Sequence, residues 1–405
     1  MKQPIVGGYP DNLQVNSAVT EYNCLMGGAA WVSTENNVYQ CIPTNGKFRK
    51  LYVELNGDPT AGGSYYDFWL VVNGTPSALT CRIAAGATAN SDLTHEVSVT
   101  AGQTVSICCT PSATDPTARM ARWTCEFESD TPNESICLIS APCQNSYSTY
   151  PSLQGASLID NSTENRVSTP IPTAGSFKKL YIQLSGSPGV GAGDAYTIAL
   201  RVGAGTKNNT VTITQPATSG NITNVTDAVV AGNLVNFICI AVSTPSLEPF
   251  AAIGIVFCPT VDGESLLTGG DAGSYTPNND VTYYHQLCET RLSSWQTTEY
   301  FSLIQACLVR NFYVSLSVAP DTGNDYTISI NKDAGAASGL TVNIAGAATT
   351  GNDVAHTYIA GNGDTISLKS VPNSTPTISY QQVGLVLYID PTPTRFSYYP
   401  HILAH

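Results

Sequence analysis

The sequence predicts an all-β protein: three tandem antiparallel β-sandwich domains of jelly-roll type, with extended N- and C-terminal arms. Two observations carry this expectation. Short runs with alternating apolar residues fill the chain, separated by turn signals such as Asn45-Gly46, Asn73-Gly74 and Ala101-Gly102 and uninterrupted by helical periodicity. One such run also recurs. Pro43-Thr-Asn-Gly-Lys-Phe-Arg-Lys-Leu-Tyr-Val-Glu-Leu55 returns as Pro172-Thr-Ala-Gly-Ser-Phe-Lys-Lys-Leu-Tyr-Ile-Gln-Leu184, and in worn form as Val309-Arg-Asn-Phe-Tyr-Val-Ser-Leu316. Its alternate residues (Leu51, Val53, Leu55; Leu180, Ile182, Leu184) are apolar, the period of a strand with one wet face. Recurrence of a whole unit marks a tandem array.

Taken in order, residues 1–20 read as an N-terminal arm, with two prolines, two glycines and no strong period. The first repeat spans 21–130, with strand candidates at 38–42, 48–56, 65–73, 78–83, 95–100, 104–110 and 119–128. Strands at this spacing, with no helix between them, indicate a sandwich or jelly roll. Residues 131–149, rich in Pro, Ser and Asn, read as a linker, followed by repeat 2 at 150–262. A second linker covers 263–280, and repeat 3 covers 281–390. Residues 391–405, with prolines at 391, 393 and 400, read as an extended C-terminal arm. Equivalent residues mark the register: Tyr66, Tyr196 and Tyr326 open one strand, and Pro59, Pro188 and Pro320 close the loop before it. Thr34-Glu35, Thr163-Glu164 and Thr298-Glu299 recur as well, preceded in the first and third copies by Trp31 and Trp295.

Composition narrows the partners. Only 12% of residues are charged and the net charge is -13, against about 25% charged in ordinary globular proteins. The basic clusters are no longer than Phe48-Arg-Lys50 and Phe177-Lys-Lys179. Nucleic acid is therefore not an expected partner. No apolar run approaches the roughly 18 residues of a membrane helix, so membrane insertion is not expected. The first ten residues also lack the apolar core of a secretory signal. The chain carries 12 cysteines, a usage found where proteins meet oxidising surroundings, such as virion and cell surfaces. A particle that assembles inside a cell and oxidises after release fits this pattern; a secreted, extracellular protein is the alternative.

Laid over the repeat, the cysteines suggest pairs. Cys24 and Cys41 recur as Cys288 and Cys307, while repeat 2 lacks both members and has Pro170 at the place of Cys41. Loss of both together is what a bonded pair predicts. The same argument joins Cys109 to Cys125 and Cys239 to Cys258, and elimination joins Cys81 to Cys108 and Cys137 to Cys143. The competing reading is that several are buried free thiols acting as small hydrophobes. A zinc site is not expected, because no C-x-x-C spacing occurs.

No residue pattern names a reaction. The five histidines, His95, His285, His356, His401 and His405, stand in no motif with a nucleophile or carboxylate, and His95 and His356 fall on equivalent strands. G-x-S-x-G, P-loop and H-E-x-x-H sequences are absent. Glu35, Glu164 and Glu299 invite comparison with paired glycosidase acids, but each belongs to a separate repeat, where a turn role is expected. Catalytic, cofactor-binding and metal-binding residues are thus all assigned as none. The 21 tyrosines, with runs at Tyr65-Tyr66, Tyr283-Tyr284 and Tyr398-Tyr399, suit a core or a subunit contact. Sequons stand at Asn73, Asn133, Asn161, Asn208, Asn221, Asn224 and Asn373.

The unit that runs from Gly46 to Ser106, G-x-(F/Y)-x-x-L-Y-V-x-L, P-x-x-G, Y-x-x-x-L-x-V-N-G, L-T-x-x-I and A-G-x-x-V-S, resembles modules of phage virion proteins. Such modules occur in jelly-roll decoration, head-fibre and tail-associated proteins. The resemblance implies a non-enzymatic structural protein on a virion surface, contacting a capsid or other shell protein, and carries no catalytic residues. A homo-oligomer, first of all a trimer, is expected with it. The alternatives are an adhesin or fibre that binds host-surface glycan and, more remotely, a secreted polysaccharide-active enzyme.

Overall fold

The computed structural model describes residues 1–8, 14–60, 62–156, 163–270, 279–287, 302–333 and 335–390. The expected alternation forms the expected strands. In Gly46–Leu55, Phe48, Leu51, Val53 and Leu55 are buried and their neighbours half-exposed. Phe48 lies one residue out of phase with the other three. The backbone corrects this with a β-bulge at Lys50, where φ is 54° and the register slips against both neighbouring strands. The same bulge recurs at Lys179 (φ 55°) between Phe177 and Leu180, and at Asn311 (φ 53°) between Val309 and Phe312.

Three antiparallel sandwiches result. In repeat 1 one sheet has the order Lys2–Gly8, Ala121–Ser129, Gly46–Leu55, Ala89–Val99. The other places Glu21–Asn23 and Gln40–Cys41, two pieces of one edge, beside Thr104–Pro111, then Tyr65–Val72 and Thr75–Ala84. The first strand thus lies beside the last, and the second beside the last but one, which is the strand order of a jelly roll. Repeat 2 sets Ser135–Pro142, Phe250–Pro259, Gly175–Leu184 and Ser219–Val229 in one sheet, and Thr169–Pro170, Leu234–Val242, Ala195–Val202 and Gly205–Thr214 in the other. Repeat 3 has the same order, with Glu264–Gly270, Gln381–Tyr388, Cys307–Leu316 and Thr350–Ala360 in one sheet. Its other sheet has Tyr283–His285 and Ser302–Leu303 on one edge, then Thr365–Asn373, Asp321–Lys332 and Ala336–Gly346.

The segments read as an N-terminal arm and as linkers therefore contain the first strand of each sandwich: Lys2–Gly8, Ser135–Pro142 and Glu264–Gly270. They escaped the periodic reading because they are buried almost throughout, on both faces, and so do not alternate. Pro4 is tolerated because Lys2–Gly8 is an edge strand. The proposed C-terminal arm, 391–405, lies outside the described residues, as do Trp295, Glu299 and Cys288.

The repeat markers have a shared physical role. Tyr66, Tyr196 and Tyr326 are fully buried. Their hydroxyls donate to the carbonyls of Thr117 (3.3 Å), Leu247 (2.8 Å) and Thr377 (3.1 Å). The N–H groups of Thr117, Leu247 and Thr377 donate in turn to the carbonyls of Pro59, Pro188 and Pro320. Each pair of markers thus fastens one crossing loop to the core.

The sandwiches close into a ring, since each repeat touches both others. Edge pieces of the second strand carry the contacts. Gln40–Cys41 of repeat 1 lies against repeat 2, Thr169–Pro170 against repeat 3, and Ser302–Leu303 of repeat 3 against repeat 1. The three first strands gather where the repeats meet. Cys137 and Ile139 enter the repeat 2 core, whereas Ile136 and Leu138, on the opposite face, join a cluster shared by repeats 1 and 3. That arrangement is a pseudo-threefold ring made by one chain.

Candidate functional site

The most specialised chemistry in the described residues sits at the ring junctions. Lys2–Gly8 and Glu264–Gly270 are sheet edges, and Ser135–Pro142 is paired on its outer side only with the two residues Gly155–Ala156, so free N–H and C=O groups remain that must be satisfied once buried. Glutamines from a neighbouring repeat do this. Gln3 of repeat 1 donates to the Ile136 carbonyl (2.9 Å) and accepts from its N–H (2.8 Å). Gln40 donates to the Leu138 carbonyl (3.1 Å) and closes a ring of hydrogen bonds with the backbone of Met26. Gln154 of repeat 2 donates to the Leu266 carbonyl (2.9 Å) and accepts from the Thr268 N–H (2.8 Å). An amide that both donates and accepts satisfies an edge without adding charge.

Two junctions also hold a buried glutamate. Glu134, with a side-chain exposure of 0%, accepts from Thr44 of repeat 1 (2.6 Å) and pairs with Lys179 (2.7 Å) and Lys178 (3.0 Å) of repeat 2. Glu264 accepts from Thr173 (2.6 Å) and pairs with Arg310 (2.7 Å), one repeat further along. Burial opposes ionisation of Glu134, but Lys179, Thr44 and Lys178 outweigh it and hold its carboxyl below the ordinary glutamate value. The bulge at Lys179 places its amine on this carboxylate.

The third junction solves the same problem differently. Lys2 stands at the register position that Glu134 and Glu264 hold in the other two repeats. The bulge cations Arg49 and Lys50 turn instead to Glu126 on the eighth strand, at 2.5 Å and 3.0 Å. Register places Glu126 opposite Arg49 as Val256 lies opposite Lys178 and Val386 opposite Arg310. The acid has moved from one strand to another while the cation stays in place. Burial raises the Glu126 carboxyl, and Lys50 and Arg49 more than reverse it, leaving the group below its ordinary value. Gln305 of repeat 3 donates to the Lys50 carbonyl (2.8 Å), so the bulge itself is part of the contact.

Glycine permits two of the close approaches. A Cβ on Gly254 would overlap the Cys41 carbonyl, and one on Gly384 would overlap the Pro170 carbonyl. In repeat 1 the equivalent residue is Thr124, whose hydroxyl donates to the Ile5 carbonyl (2.7 Å). Where the three sandwiches meet at one end of the first strands, a depression of about 270 Å³ is lined by Lys2, Glu128, Asp130, Asn133, Asp262 and Asp390, among others.

The residues singled out from sequence do not converge on one site. His95 and His356 occupy equivalent bulged positions, and each Nδ1 meets the carboxylate three residues earlier, Asp92 (2.8 Å) and Asp353 (3.0 Å). Both aspartates also accept from backbone N–H groups, which hold them below the ordinary value against the opposing effect of burial. His285 is buried, and burial pulls its pKa down to about 4. Glu35 and Glu164 each open a short 3-10 helix; Glu35 accepts from Ser106 and Glu164 pairs with Arg201. His401 and His405 lie outside the described residues, in which no group of three or more His, Cys, Asp or Glu side chains could hold a metal ion.

Cys41, Cys81, Cys108, Cys109, Cys125, Cys137, Cys143, Cys239, Cys258 and Cys307 stand as thiols in this structure. Cys24 packs with Ala29, Val38 and Ala156, whereas Cys41 packs with Tyr39 and Ala252. Cys81 and Cys109 join the repeat 1 core; Cys108, adjacent to Cys109 in the same strand, faces the other way and away from Cys81. Cys125 joins that core as well, as does Cys307, whose assigned partner Cys288 lies outside the described residues. Cys258 is half-exposed beside Lys178, while Cys239 is buried next to Cys143, so the Cys239–Cys258 and Cys137–Cys143 pairs are both split. Cys137 instead lies 3.6 Å from the Gln154 amide. Burial pushes the thiols of Cys41, Cys81 and Cys307 up to about 12, so these cysteines behave as small hydrophobes.

No helix among the described residues is long and apolar enough to cross a membrane. No family model and no curated protein matches the sequence.

Proposed function

We propose that the chain is a non-enzymatic building block on the surface of a virion, a capsid decoration or head- or tail-fibre protein that contacts a shell protein. The observation that supports this reading is the closed ring of three jelly rolls with its buried, hydrogen-bonded junctions. One chain supplies the closure that three copies supply in a cyclic trimer. The protein therefore acts as a single-chain equivalent of a trimer, and the trimer expected from sequence is unnecessary for closure. Its periphery consists of the hairpins Thr75–Val99, Gly205–Val229 and Ala336–Ala360, whose outer faces are exposed and dominated by small and polar residues. Such faces present a wet, weakly charged surface to the surroundings, while other parts of the ring are available to the shell.

Light scattering of the purified chain and electron cryomicroscopy of particles carrying it test the proposal together. The expected mass is that of one 42.7 kDa chain, and the expected image shows one three-lobed density per chain seated on the shell. A stable homotrimer in solution overturns the single-chain reading. Failure of a chain-specific antibody to label intact particles overturns the surface assignment.

A further inference from the structure

We propose that Cys143 and Cys239 form a disulfide when the folded protein meets a low-molecular-weight disulfide, clamping together the two sheets of the second jelly roll. Their Sγ atoms lie 3.6 Å apart. Cys143 immediately follows the first strand, Ser135–Pro142, in one sheet, and Cys239 lies within Leu234–Val242 in the other. Backbone hydrogen bonds hold both ends: the Cys143 N–H donates to the Pro249 carbonyl, and Thr149 and Cys239 exchange N–H to carbonyl bonds in both directions. A small movement of two side chains on a fixed backbone brings the sulfurs to bonding distance.

The cysteines nearest to this pair in the chain are occupied elsewhere. Cys137 faces Gln154, and Cys258 faces Lys178 on the outer side of its sheet. Both sulfurs are buried, at exposures of 0% and 3%. Residues 144–148, half-exposed or exposed, lie between Cys143 and Thr149, so opening of this short segment admits the oxidant. Contact with Cys239 and then burial hold the Cys143 thiol above its ordinary value, which makes reaction slow at neutral pH and faster in mild alkali.

With oxidised glutathione as the acceptor, one thiolate attacks its disulfide and releases one reduced glutathione. The second cysteine then displaces the other glutathione from the mixed disulfide. The protein loses two protons and two electrons, and one glutathione disulfide becomes two thiols. This inference is independent of the particle reading, because it rests on the interior of one sandwich.

The test uses the folded full-length chain incubated with oxidised glutathione, alkylated in denaturant and digested with chymotrypsin. That protease cleaves after Leu138 and Tyr147 and after Phe237 and Phe250, which separates the two cysteines from their neighbours. The expected product is one linked species joining the Cys143 and Cys239 peptides, two hydrogens lighter than their sum and abolished by reduction. Its formation accelerates in mild alkali. Cys137→Ser leaves it in place, and Cys143→Ser removes it and returns Cys239 as an alkylated thiol. Recovery of both wild-type residues as alkylated thiols after oxidation, or of either joined to a different cysteine, overturns the proposal, whatever the variants do.

Discussion

Glu134 is a buried anion held by two lysines of its own repeat and one hydroxyl of the repeat before it, so its ionisation is coupled to the junction. Its folded value lies below the ordinary 4.5, and the stabilisation is therefore complete above that pH and is lost as pH falls through the lowered folded value. Glu126 and Asp353 shift in the same direction and add to the effect. Urea titrations are expected to show a constant midpoint from neutral pH down to about 5 and a steep fall below 4. Glu134→Gln removes the charge and leaves Lys178 and Lys179 facing a neutral amide. It should cost about 2 kcal/mol at neutral pH, since both lysines are partly exposed and screening reduces the loss. The same substitution should flatten the acid limb, and an unchanged acid limb would rule Glu134 out as its source. The sequence concealed this residue, because Glu134 falls in a stretch that reads as linker and its cations sit in a strand whose solvent face looks ordinary.

The strand that repeats most clearly was also read incompletely. Leu51, Val53 and Leu55 alternate, and Phe48 breaks that alternation by one position; the same break separates Phe177 from Leu180 and Val309 from Phe312. A phase slip repeated at the same place is the sequence signature of a conserved geometry within the array, here a bulge with one left-handed residue. Lys50 and Lys179 are needed as cations, which explains why two copies tolerate a non-glycine residue there. Asn311 has no such duty on its side chain, and asparagine is among the residues that accept a left-handed backbone most readily. Asn311→Gly is therefore expected to leave stability unchanged or raise it slightly, whereas Asn311→Val should lower it by about 1–2 kcal/mol. Thermal unfolding monitored by circular dichroism checks both, and equal stability of the two variants would show that the bulge straightens without cost. The first strands were missed for the opposite reason: burial on both faces erases the alternation by which a strand is recognised.

Three sandwiches in tandem could hang as beads, and the sequence predicted only the tandem order, with linkers between them. What turns beads into a ring is a set of residues without periodic signal: glutamines that cap strand edges, glutamates under a neighbouring hydroxyl, and glycines that let two backbones approach. None of these differs in composition from an ordinary surface or turn residue, so fold class was legible and closure was not. The glycines provide the sharpest test, because they act by absence. A methyl at Gly254 must push away the Cys41 carbonyl and Pro43, and one at Gly384 must push away the Pro170 carbonyl and Pro172, all of which belong to the preceding repeat. Overpacking of this kind costs about 1–3 kcal/mol per site, and the cost falls on the junction rather than on the interior of either sandwich. Gly254→Ala and Gly384→Ala should therefore loosen the ring while each jelly roll stays folded. Calorimetry is expected to show the cooperative unfolding of the parent split into separable transitions, and small-angle scattering to show a larger radius of gyration for the double variant. Gly186→Ala serves as the control, because nothing lies within 4 Å of its added methyl. If the double variant retains both the single transition and the parent radius, the repeats hold one another by some means other than these backbone contacts, and the ring would owe its rigidity to the glutamine and glutamate bonds alone.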